Sequence, residues 1–162
     1  MKWLKSILIG VLGSLVMFLL MMLGIHGTGV APFNLPPSAA FLEQLGLNVG
    51  PLPLLTHFGY GATWSFVLVG LYGSATNVRR GLSLAAGLWL FMMLVYSPLI
   101  GWGIFGVGGA GHDLAPSNPL HLGSTAKYVA ATLVLHLVYG AIIGGLNPAW
   151  IQFETSSART QA

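Results

Sequence analysis

Two copies of one short pattern hold two of the chain's five histidines and two of its five tyrosines. His57-Phe58-Gly59-Tyr60-Gly61-Ala62 and His136-Leu137-Val138-Tyr139-Gly140-Ala141 agree as H-x-x-Y-G-A. An imidazole can donate and accept hydrogen bonds, relay protons, or ligate a metal or a haem iron. On a helix the tyrosine three residues on lies beside the histidine. His57, Gly61 and Ser65 then form one i, i+4, i+8 stripe, as do His136, Gly140 and Gly144. Small residues at that spacing let membrane helices approach closely. His57, Tyr60, His136 and Tyr139 are therefore the candidate cofactor-binding residues, turned toward protein because an imidazole in hydrocarbon is costly.

Four roles fit such residues. Each histidine and tyrosine could simply hydrogen-bond a neighbouring helix and fix the packing, which is the usual explanation of buried polar groups. His57 and His136 could instead be axial ligands of a haem or another tetrapyrrole between facing helices. Depth opposes that: counted along their spans, His57 lies about 4.5 Å in and His136 about 12 Å. A small-solute or proton path is the third role, weakened by the absence of any carboxylate in the spans. A metal site where His26, His112, Asp113 and His121 meet His57 is the fourth, without the tight spacings of a preformed site. For His136 the expected state is a neutral imidazole, bonded to a carbonyl freed by Pro98 or to a repeat tyrosine.

Enzyme constellations are missing. The acids Glu43, Asp113 and Glu154 all lie outside the apolar runs, so paired-carboxylate chemistry has no material. Gly101-Trp102-Gly103-Ile104-Phe105-Gly106 superficially resembles a phosphate loop but follows a membrane helix and lacks the flanking strand. Its glycines are expected to fold the chain back, with Trp102 and Phe105 in an interfacial aromatic belt. The absence of cysteine removes disulfides, iron–sulfur clusters and thiolate zinc sites.

These residues must be positioned by membrane helices. The 162 residues are 55% hydrophobic and 6% charged, with mean hydropathy +0.81. That is too little polar surface for a water-soluble domain or a nucleic-acid binder. Apolar runs at residues 7–25, 54–73, 82–104 and 128–146 contain no charged residue. Each approaches the ~20 helical residues that cross a bilayer. The sequence predicts one all-α polytopic domain over residues 1–162, with four transmembrane helices and a parallel internal repeat pairing spans one and two with three and four. Pro98 should kink or end the third span near Leu94. Pro36-Pro37-Ser38 starts a short helix over residues 39–45, with Gly46 as its cap; Phe41, Leu42 and Leu45 would lay it on the outer interface or across the bundle.

Orientation follows the basic residues. Lys2, Lys5, Arg79, Arg80 and Arg159 fall on one side of a four-span topology and Lys127 alone on the other. The positive-inside rule then puts both termini in the cytoplasm. A cleaved signal peptide ending near Gly29-Val30-Ala31 is the rival reading of the first run, but the run exceeds the usual apolar length.

Taken together, residues 98–106 and His136-Leu137-Val138-Tyr139-Gly140 resemble a group of small prokaryotic four-helix membrane proteins, the YagU-like proteins. The resemblance implies four spans and an inner-membrane location, and brings no activity, cofactor or catalytic residue. The expected function is thus a non-enzymatic accessory or packing subunit, with the lipid bilayer, other membrane subunits or further copies as partners. A haem-binding electron-transfer protein and a small-solute or proton carrier are the alternatives.

Overall fold

A computed structural model describes residues 1–160, with side chains for residues 1–150, so the Arg159 side chain lies outside the described residues. The described chain is all-helical, without strands, and has four helices long and apolar enough to cross a membrane. Their α-helical cores are α1 (Lys2–Met22), α3 (Leu52–Tyr72), α4 (Val78–Phe91) continued by α5 (Ser97–Ile100), and α7 (Thr125–Thr160). A short α2 (Pro37–Gln44) and a single turn, α6 (Gly109–His112), lie in the connections. Helices run past the apolar runs at several ends. Backbone hydrogen bonding continues through Lys2 and Lys5, whose ammonium groups sit over the rings of Trp3 and Trp150 at 4.8 and 5.0 Å.

Local chemistry sets the other ends. Asn77 caps α4 by accepting the Arg80 N–H at 3.0 Å. The third span does not end at Pro98. A π-turn over Met92–Tyr96 carries the Ser97 N–H back to Met92 O, and one more helical turn follows to Ile100. The wider turn leaves room for a proline ring that a tight turn would drive into the carbonyl at Leu94. Gly101 then stops the helix at φ +93°, four residues before the expected end.

Small residues decide which helices meet. Gly10 and Ser14 of α1 face Gly61 and Ser65 of α3, while Gly81 and Ala85 of α4 face Gly140 and Gly144 of α7. A Cβ on Gly140 would lie 2.6 Å from the Ala85 Cβ, and one on Gly10 would lie 2.8 Å from the Ala62 Cα. Both crossings therefore exclude side chains. Helix α1 also packs on α7, which leaves α3 and α4 as the outer members of an arc that barely touch each other. Between α3 and α7 the links are side-chain bonds, from Tyr139 Oη to Gly61 O and from Asn147 Nδ2 to Ser65 Oγ.

The end of the bundle opposite the termini is filled by loop residues. Trp102 is fully buried, stacked on Phe33 and edge-on to Tyr128, and its Nε1–H donates to Leu120 O at 2.8 Å. This corrects the expectation of a membrane-interface belt. The turn at Gly101 and Gly103 folds the segment inward, and Gly103 meets Gly108 too closely for a side chain. Phe105 does stay half-buried against Trp89. Helix α2 forms where Pro37 and Gly46 bound it, with Ala39, Ala40 and Leu42 buried and Leu45 exposed.

Candidate functional site

The arc of helices encloses a cavity of about 260 Å³. Helix α3 contributes His57 and Tyr60, and α7 contributes His136 and Tyr139, so all four candidate residues line one space. Ser14, Met17 and Met21 of α1 form the back wall. Phe91, Met92 and Tyr96 close the side of the third span, their direction set by the π-turn before Pro98. Above them α2 supplies Phe41 and Leu42, with the Phe41 ring 4.7 Å from that of Tyr96. Apolar carbon dominates the walls, and no Asp, Glu, Lys or Arg is among the lining residues.

The two histidines are held differently. His57 Nε2–H donates across to Ser14 O of α1 at 3.0 Å, and the ring lies against Phe18 and Phe58. His136 is 7% exposed, and its Nδ1–H donates to Thr132 O, one turn back on its own helix, at 2.8 Å. Neither a carbonyl freed by Pro98 nor a repeat tyrosine serves as its acceptor. A neutral ring donating in this way keeps a lone pair on its other nitrogen, Nδ1 of His57 and Nε2 of His136. Both imidazoles on the cavity lining thus keep one acceptor nitrogen each.

The tyrosines of the motif also part company. Tyr139 is buried and donates to Gly61 O, tying α7 to α3. Tyr60 is 43% exposed and packs edge-on to Trp64 at the open side of the arc. Identical motif positions diverge because α7 lies between α1 and α4, whereas α3 flanks the arc and packs chiefly on α1. The expected depth mismatch between His57 and His136 does not keep them apart. Both line the same cavity.

The loop residues do not assemble a metal centre. His26 is exposed, His112 Nε2 is within bonding distance of Gly106 O and Thr125 Oγ1, and His121 Nδ1–H donates to Leu114 O. Among the described residues no group of three or more His, Asp or Glu is placed to hold a metal ion. Tyr96, Thr132 and Ser14 were missed as site residues. Thr132 was visible as the residue one turn before His136, and Ser14 as the small residue four after Gly10. Comparison of the chain with family models, curated proteins and solved structures gives no match.

Proposed function

We propose that this chain is a non-enzymatic plasma-membrane protein that holds a small amphipathic molecule between its second and third spans. The observation that carries this reading is the convergence of both histidines on one apolar cavity, each with its N–H already committed to a backbone carbonyl. A purely packing or accessory role accounts for the glycine crossings but leaves that cavity without a purpose. A bis-histidine tetrapyrrole fits less well, because His57 offers Nδ1, the nitrogen next to its own backbone, and about 260 Å³ is below the range of most cofactor pockets. The wild-type protein should therefore be colourless. A Soret band in the purified protein would replace this reading with the haem one.

Native mass spectrometry tests the proposal directly. Protein released from mild detergent should carry one small-molecule adduct, lost in Leu135→Trp, which fills the cavity wall. Adduct-free wild-type protein, or an equal adduct on the filled variant, would refute ligand holding.

In the proposed topology both termini are cytoplasmic, supported by the excess of Lys and Arg on that face. The same face carries cation–aromatic pairs, including Arg80 over Tyr72 at 4.4 Å. Reporter fusions after residue 162 and within residues 74–81 should both read as cytoplasmic. A signal from the opposite side at either position would overturn the assignment.

A further inference from the structure

Resting on the cavity reading above, we propose that the occupant is a lipid-dissolved alcohol or phenol. It reaches the cavity sideways from the bilayer and donates its hydroxyl hydrogen to His136 Nε2. Access comes first. Tyr60 and Phe91 line the cavity and are also 43% and 54% exposed, on the two helices that barely touch. Tyr60 is eight residues into α3 and Phe91 nine before the end of α5, so each lies about 12–14 Å along its span. A window at that depth opens on hydrocarbon. Toward the loops the cavity is roofed by α2, and toward the termini Tyr139 and the buried Ser65 close it.

Polarity then selects the ligand. A carboxylate or phosphate would find no Lys or Arg in the lining, and a cation would find no carboxylate. Both histidine N–H groups are committed to backbone carbonyls, so each imidazole keeps only an acceptor, while the Tyr60 and Tyr96 hydroxyls on the same lining can donate. A ligand hydroxyl, which donates and accepts, matches both. Size agrees with a polar head and not a whole lipid. At about 260 Å³ the cavity is at the small end for ligand sites, suited to one ring or a short branched head. The remaining chain would extend through the window into the bilayer.

The test uses tritiated 4-nonylphenol and the protein in phosphatidylcholine nanodiscs, with empty discs subtracted. Binding should saturate at one per chain. Unlabelled 4-nonylanisole, the methyl ether of the same shape, should compete about fivefold more weakly than unlabelled nonylphenol, the size of one neutral hydrogen bond. His136→Leu should erase that difference. The variant is expected to fold, because Thr132 O belongs to a helical turn and keeps its backbone bond when the imidazole is removed. The phenol–ether comparison in the unsubstituted protein stands whether or not the variant folds. Equal competition by phenol and ether would overturn the donor assignment while leaving the cavity reading intact. No saturable binding, or undiminished binding in Leu135→Trp, would overturn both.

Discussion

Gly61→Leu is expected to prevent assembly of the bundle, and Gly140→Leu to do the same. A side chain on Gly61 would run into Ser14 and the Gly10 backbone, and one on Gly140 into Ala85 and Gly81. Neither neighbour can swing aside, since each is backbone or a short side chain at a helix crossing. Overfilling a packed core costs about 1–3 kcal/mol when side chains can shift. Here helix axes must separate, so the loss should lie at or above the top of that range. Val67→Leu, on the same helix as Gly61 but outside the crossing, is the control. Monodispersity in mild detergent and the thermal midpoint report the outcome. If both glycine variants behave like the Val67 variant, the helix crossings are wrong.

Trp102→Ala should produce the next largest loss. The indole is fully buried between Phe33 and Tyr128, at the junction of the loops with the ends of the third and fourth spans. Removing a buried aromatic ring costs about 3–5 kcal/mol. For a chain of this size that corresponds to a drop of about 10 °C or more in the midpoint. Trp102→Phe separates the two contributions: it keeps a ring but leaves Leu120 O without its donor, and should lose about 1–3 kcal/mol. A midpoint for Trp102→Ala within 2 °C of wild type would return Trp102 to the membrane surface, where sequence reasoning had put it.

That difference shows what local sequence can carry. Span number and the start of α2 at Pro37 follow from composition and proline chemistry, which act within a few residues. The stripes through Gly61 and Gly140 follow from helical period, and so would Gly10 with Ser14 and Gly81 with Ala85 had the same spacing been sought in the other spans. Trp102 is different. Its burial depends on Phe33, Leu120 and Tyr128, which come from three separate segments, and nothing near residue 102 announces them. Tyr60 and Tyr139 make the same point from one motif. The pattern puts each hydroxyl beside its glycine stripe, but the order of helices in the arc decides which hydroxyl reaches a carbonyl. The cavity belongs to that order as well, because it exists only where α3 and α4 fail to close.

Near the termini the bundle is cross-tied: Ser65 Oγ donates to Ser6 O at 2.7 Å, and Asn147 Nδ2 donates to that same Ser65 oxygen at 3.0 Å. Leu68, Ile143 and Ile9 fill the layer around these bonds, so the space under Tyr139 is shut by both packing and hydrogen bonds. An occupant of the kind proposed, entering between α3 and α4, would find this end shut and could not pass on toward the termini. Such a vestibule suits dwell time over throughput: its natural measure is an off-rate, and a transmembrane gradient of the guest gives it nothing to do.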